Sequence, residues 1–289
     1  MRMTLKGLSR AAAFACVAWT CNAGVTPEYF ADWTKLKEPK KIVSTLEQLQ
    51  EAGCRSLHGH QQGITCTDDF IFFGASGALG KLDWTGKPVK VREVPCHMGD
   101  VCWYKGRLYA TWSYTVKGQK RNVIAVFDAD LNLLEEHPVE GLKGIDGITI
   151  LDDIIYFGGG SDGRAFHREN RIGRMTLDFK FLGWTTVDIG VEVNFGVQNL
   201  VAADGKVYGF FYTHIGDRPG SPITCGVFDK ELKLLETKKA FSGMGITVAP
   251  QRYQTVPGKT VFLVGASSSL KPTSQPTAAW LHYDFRVFK

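Results

Sequence analysis

The stretch His58 to Gly74, HGHQQGITCTDDFIFFG, decides how the rest of the chain is read. Two short runs rich in β-formers, Gly63-Ile64-Thr65-Cys66 and Phe70-Ile71-Phe72-Phe73, flank Thr67-Asp68-Asp69, a tight-turn signal. Neither run is long enough for an independent helix. Ahead of them His58, His60, Gln61 and Gln62 crowd together, and such side chains suit an open end of a structure better than its core.

The same unit recurs along the chain. Inner strands align as Gln62-Gly63-Ile64-Thr65, Gly99-Asp100-Val101-Cys102, Asp146-Gly147-Ile148-Thr149, Gln198-Asn199-Leu200-Val201 and Met244-Gly245-Ile246-Thr247. Second strands follow at Phe70 to Phe73, Arg107 to Thr111, Ile154 to Phe157, Lys206 to Phe210 and Thr260 to Val264. Third strands end on Asp83, Asp128, Asp178, Asp229 and Asp284, spaced by 45, 50, 51 and 55 residues, and a turn and a fourth strand come next. Four strands at a period of roughly 40–50 residues is the sign of a β-propeller, whose units bury their faces only in a closed ring. The expectation is an all-β, five-bladed β-propeller of four-stranded antiparallel blades. A β-sandwich with coincidental spacing is the alternative. The last unit leaves only Arg286 to Lys289 for a fourth strand, so part of Lys40 to Leu46 is expected to close the last blade from the N-terminus. A short helix over Leu46 to Ala52 is compatible with that.

The start of the chain reads differently. Arg2, Lys6 and Arg10 precede the apolar run Ala11 to Trp19, then small residues up to Ala23, the pattern of a cleaved signal peptide. The run is far shorter than the roughly 20 residues of a membrane span. The division is therefore a signal peptide at 1–23, an N-terminal segment at 24–57 that lends the closing strand, and the propeller at 58–289, in a secreted or periplasmic protein with no transmembrane segment. Without the leader the formal net charge falls from +5 to +2, because three cations and no acids leave with it. That near balance, with no basic run, disfavours nucleic-acid partners. Five cysteines remain: Cys54, Cys66, Cys96, Cys102 and Cys225. The odd number leaves at least one thiol unpaired. A Cys54–Cys96 disulfide and a set of five buried thiols are both open.

In a propeller of this phase the inner-strand entrances and the loops between second and third strands emerge on one face. Of seven histidines, His58, His60, His97, His167 and His214 collect there. Asp100, Asp146, Gln62, Gln198 and Asn199 stand at or beside the inner-strand entrances, with Glu192, Asn194, Arg164 and Arg168 nearby. Imidazole titrates near neutrality, so His60 or His97 suits a general base, with Asp146 or Asp100 orienting it or holding a metal. Gln62, Asp100, Asp146 and Gln198 form a candidate set for a divalent metal; oxygen ligands suit calcium, and imidazole shifts the choice to zinc or manganese. The bland alternative is a polar channel whose groups bond one another and water. His58, Arg164, His167, Arg168, Glu192, Asn194 and His214 are candidates to bind substrate, the guanidinium groups taking an anionic part. No GxSxG elbow is present, and no lysine follows Gly158-Gly159-Gly160-Ser161-Asp162-Gly163, which reads as a flexible loop rather than a phosphate cradle. No nucleotide cofactor is implied. Tyr114 and Tyr212, at loop starts, suit stacking on a sugar.

Asp146-Gly147-Ile148-Thr149, with Gln62-Gly63-Ile64 before it, resembles the inner strands of gluconolactonase/SMP-30-type calcium propellers. The resemblance implies a central divalent ion serving lactone or ester hydrolysis, with Asp146 as the best positional match and Gln62 and Gln198 as partial ones. The chain departs from that family in its five repeats against six, in lacking an inner-strand Glu for the first ligand, and in its additional His60 and His97. Five-bladed glycosidases and His/Gln metal-dependent lyases are analogies of fold alone. Two functions follow as expectations. One is a metal-dependent hydrolase or lyase acting on a small carbohydrate-derived or lactone-like substrate. The other is a non-catalytic propeller that binds a ligand or protein at the same mouth.

Overall fold

A computed structural model describes residues 33–36, 42–53, 61–160, 167–213, 223–240, 245–254, 256–267 and 279–289. Antiparallel strands account for most of it. Gln61–Cys66 pairs with the front of Phe70–Asp83 through Ile64↔Phe73. That ribbon folds back at Gly77, whose φ of +91° favours glycine. Its second half then pairs with Pro88–Tyr104 through Ala78↔Glu93. The far end of Pro88–Tyr104 is already the inner strand of the next unit, pairing Cys102↔Tyr109 with Arg107–Val116. Phe181–Ala203 plays the same double part, outer strand of one unit at Ile172↔Thr185 and inner strand of the next at Val201↔Tyr208. An outer strand that runs into the next inner strand is the connection of a β-propeller.

The packing explains why Phe70-Ile71-Phe72-Phe73 shows no polar alternation. Ile71 and Phe73 enter one apolar layer with Ile64, Leu263 and Tyr283. Phe72 enters another with Val101, Leu108 and Ala110. A sheet buried on both faces reads as a continuous hydrophobic run. Further layers hold Tyr109, Ile124, Ile148 and Phe157, Tyr156, Leu200, Val207 and Phe211, and Val201, Phe210, Ile246 and Phe262. Each layer lies between consecutive units, and the layer of Ile64 and Leu263 joins the last unit to the first. Among the described residues these layers link consecutive units into a ring.

The closing strand lies where the sequence placed it. Ile42–Thr45 pairs with Ala279–Phe288 through Ser44↔Leu281 and Ile42↔Tyr283. A second piece, Trp33–Lys35, was not foreseen and pairs with the same strand at Trp33↔Phe288. The helix Leu46–Glu51 follows directly, capped by Thr45 and Gln48, each side chain bonding the other's backbone N–H. Among the described residues no helix is long and apolar enough to cross a membrane.

The repeated aspartates are turn residues. Asp83 Oδ1 accepts from the N–H groups of Thr85 and Lys87. Asp128 accepts from those of Asp130 and Asn132, and Asp229 from those of Glu231 and Lys233. The expectation of one common position fails twice. In the third unit Thr176 holds the turn, accepting from the Lys180 N–H, and Asp178 lies two residues inside it. Asp284 lies within an unbroken strand and pairs with Lys35 at 3.0 Å.

Cys66, Cys102 and Cys225 are free thiols. Burial pushes all three upward, Cys102 to about 12, so they are poor nucleophiles at neutral pH. The Cys54–Cys96 pairing involves Cys54, which lies outside the described residues.

Ile42 is 2% exposed in the closing strand. Ile42→Ala should lower the unfolding free energy by about 3 kcal/mol in a urea titration, through lost burial and the cavity left behind. Burial acts to raise the Asp83 carboxyl, but its bonds from Thr85 and Lys87 hold it below the usual carboxylate range. Its stabilisation is therefore present above about pH 4 and lost as pH falls through the lower folded value. Asp83→Ala should cost about 1 kcal/mol near neutrality, and the gap from the parent protein should close in acid denaturation curves.

Candidate functional site

The inner strands converge so closely that Gly63 has no space for a side chain. A Cβ there would lie 2.5 Å from the Asp100 Cα. Asp100 is fully buried and directs its carboxylate across the axis. Oδ1 accepts from the Val101 N–H at 3.0 Å. Oδ2 accepts from the Leu200 N–H at 2.9 Å and the Ile148 N–H at 3.3 Å. The Asn199 side chain bonds the same carboxylate. Asn199 Nδ2 also donates to the Gln62 carbonyl at 2.6 Å, and its Oδ1 accepts from the Gly245 N–H at 3.2 Å. Two side chains thus tie all five inner strands together and seal the axis. Burial pushes the Asp100 carboxyl well above the carboxylate range, against the opposing pull of the Leu200, Ile148 and Val101 N–H groups.

Asp100 was expected to ligate a metal; its oxygens here accept from backbone N–H groups and it is 0% exposed. Among the described residues no three His, Cys, Asp or Glu side chains form a metal-holding group. The donors that do converge are fewer and stand above the seal.

There the imidazole of His97, 47% exposed, faces the Asp146 carboxylate, 14% exposed, with Nε2 3.7 Å from Oδ1. Gln62 Nε2 lies 3.2 Å from His97 Nε2, and Ser76 Oγ lies 3.0 Å from His97 Nδ1. With the Gln62 amide donating to Nε2, the neutral ring carries its proton on Nδ1 and donates it to Ser76. Protonated at Nε2, the same ring is attracted to Asp146. The Asp146 backbone is fixed from below, its carbonyl accepting from the Asp100 N–H at 2.7 Å and from the Thr111 hydroxyl.

Tyr212 closes one side, its hydroxyl pushed up first by burial and then by the Asp146 charge. Phe195 stands beside it, ring centres 6.2 Å apart. Phe195 has φ +62°, a conformation that costs a bulky residue energy, and its ring is 39% exposed. Gln198 Nε2 donates to the Phe195 carbonyl at 3.0 Å, so Gln198 supports this wall. Gly159, at the start of the glycine run, packs closely as well, while residues 161–163 of that run lie outside the described residues. A Cβ on Gly159 would lie 2.4 Å from the Gly144 carbonyl oxygen, so glycine is needed there for close packing.

The structure therefore brings together His97, Asp146 and Gln62, with Gln198 behind them. Asn194 is buried, paired in register with Tyr212. Glu192 is exposed on the same strand as Asn194, and His167 begins the third strand of its unit, paired with Val193. Arg168 forms an exposed ion pair with Asp188 at 3.1 Å. His58, His60, Arg164 and His214 lie outside the described residues. Sequence reasoning missed Ser76 and Thr111. A lone hydroxyl in a turn or strand gives no signal until its partner is known.

No family model matches the chain, and no curated protein matches it. Several solved structures do. The Neurospora crassa Pan2 WD40 domain is 9% identical, with 79% of this chain and 75% of that chain covered and a TM-score of 0.42. The Bombyx mori GH32 β-fructofuranosidase is 12% identical, with 79% and 60% covered and a TM-score of 0.47. A subtype N10 neuraminidase-like protein of A/little yellow-shouldered bat/Guatemala is 9% identical, with 80% and 79% covered and a TM-score of 0.44. Likenesses of this order say nothing about activity, and the fold stands on its own strand registers.

Replacing Asp100 probes the seal. A carboxyl whose folded value is raised holds its proton longer in the folded state, so the stability it contributes is complete in acid and declines as pH rises above about 4. Asp100→Asn cannot titrate. The advantage of the parent protein over Asp100→Asn should shrink between pH 4 and 8 when unfolding free energies are compared.

Proposed function

We propose that the mouth binds a small carbohydrate-derived ligand and that His97, with Asp146, acts on it as an acid–base pair. The observation that carries this reading is the half-exposed His97 ring held by Ser76 and Gln62 against a largely buried carboxylate. Lactone or ester hydrolysis suits these groups. Once the Gln62 amide releases Nε2, His97 Nε2 takes a proton from a water molecule as the water oxygen bonds to the carbonyl carbon and the carbonyl π pair moves onto its oxygen. Asp146 stabilises the imidazolium, which returns the proton to the leaving oxygen as the old C–O bond breaks. A divalent ion, as the resemblance to gluconolactonase/SMP-30 propellers implies, would have His97, Asp146 and the Gln62 amide to draw on. The leader-like start is the ground for proposing export.

A second reading, capture without chemistry, is favoured by one observation. Phe195 is held exposed in a strained conformation beside Tyr212, as a stacking platform would be.

Both readings are tested by calorimetric titration and turnover assays against a panel of sugar lactones and oligosaccharides. If the acid–base reading holds, His97→Ala and Asp146→Asn lower turnover about 10²-fold or more and leave the melting curve unchanged. Binding without turnover that is lost in Phe195→Ala establishes capture instead. Parent-like binding and turnover in His97→Ala would overturn the mouth as the site.

A further inference from the structure

The rim of the mouth is uneven. The hairpin of Arg107–Val116 and Gln119–Phe127 holds its register as far as Val116↔Gln119. Its inner neighbour stops pairing at His97↔Ser113 and its outer neighbour at Asn122↔Val139. Residues 114–121 thus rise past both flanking strands as a two-stranded finger, about 10 Å tall at roughly 3.3 Å per residue. Lys117 and Gly118 at its tip have φ of 50° and 78°, the tight hairpin turn whose twist matches its strands. Its root is fastened by Ser113 Oγ donating to Asn122 Oδ1 and by Asn122 Nδ2 donating to the Leu142 carbonyl, both at 2.7 Å. The finger is therefore a fixed projection that starts level with His97.

Its charge is one-sided. Lys117, Lys120 and Arg121 are exposed, and residues 113–122 contain no acid. Among the described residues none of the three has a carboxylate within ion-pair distance. The other end of the same hairpin is treated differently, because Arg107 pairs with Glu135 at 3.0 Å and neighbouring Lys105 with Asp153 at 2.5 Å. Lys120 Nζ lies beside Gly144, two residues before Asp146, where an added Cβ would be 3.3 Å from it. The unneutralised charge thus stands at the approach to the mouth.

We propose that the finger at 114–121 holds the carboxylate groups of an acidic oligosaccharide, with Lys117, Lys120 and Arg121 as its cations. This rests on the mouth reading above and names the substrate class. A ligand that touches both His97 and the fingertip is longer than one sugar ring. Three cations on one finger are too few for the basic stripe of a nucleic-acid surface.

The test is affinity for a short oligogalacturonate and for its methyl-esterified, uncharged form, measured on the full chain at low and high salt. The triple variant Lys117→Gln, Lys120→Gln, Arg121→Gln should melt like the parent and bind oligogalacturonate about tenfold more weakly at low salt, a loss that fades as salt screens the charges. It should bind the esterified oligomer unchanged. Unaltered oligogalacturonate affinity, or equal loss of both oligomers, overturns the proposal. So does tighter binding of a sulfated oligosaccharide or of single-stranded DNA. His97→Ala separates the two readings. If it weakens neither oligomer the mouth reading fails, while a loss confined to the charged oligomer in the triple variant still upholds the finger.

Discussion

The Asp100 carboxylate accepts N–H bonds from its own strand and from the strands at Ile148 and Leu200, and Asn199 carries the tie on to Gln62 and Gly245. A ring of sheets has its narrowest point at the axis, where inner strands meet end to side and their first N–H groups have no ladder partner. Buried donors left unpaired cost about 1–3 kcal/mol each. One carboxylate and one carboxamide satisfy several of them, and in doing so fix the distance between units. The crowding at Gly63 follows from the same junction.

Beside this junction the polar groups of His97, Asp146 and Gln62 form one floor. Asp146 is held in that floor by its backbone, through Asp100 and Thr111, which leaves its carboxylate to face His97. The strained Phe195 and the close-packed glycines beside it form a wall whose conformation is set by neighbours rather than by local preference.

The fold was legible in the sequence because each unit repeats the same turn chemistry. An Asp side chain that bonds the N–H groups two and four residues ahead leaves a local signature, as at Asp83, Asp128 and Asp229. Where a threonine replaced it, at Thr176, the sequence pointed to Asp178 instead. The closing strand Ile42–Thr45 could be foreseen from the shortage of residues after Asp284. Trp33–Lys35 could not, because three residues carry no periodicity. At the site, His97, Asp146 and Gln62 were readable from their places at aligned strand starts. Asp100 occupies an equivalent place yet has a different task, and only its burial against Val101, Ile148 and Leu200 reveals it. The pairing of Arg168 with Asp188 across the strands gave no signal in the sequence.

The outermost position of the last unit is filled in two pieces, Trp33–Lys35 and Ile42–Thr45, both laid along Ala279–Phe288. Segments more than 200 residues apart in the chain are thus neighbours. During synthesis Trp33–Lys35 and Ile42–Thr45 have no template until Ala279–Phe288 has been made, and closing so long a loop is entropically slow. The ring therefore cannot mature unit by unit to a finished state. The first unit waits with one apolar face uncovered, the face of Ile64 and Phe73, until the last unit, with Leu263 and Tyr283, packs against it.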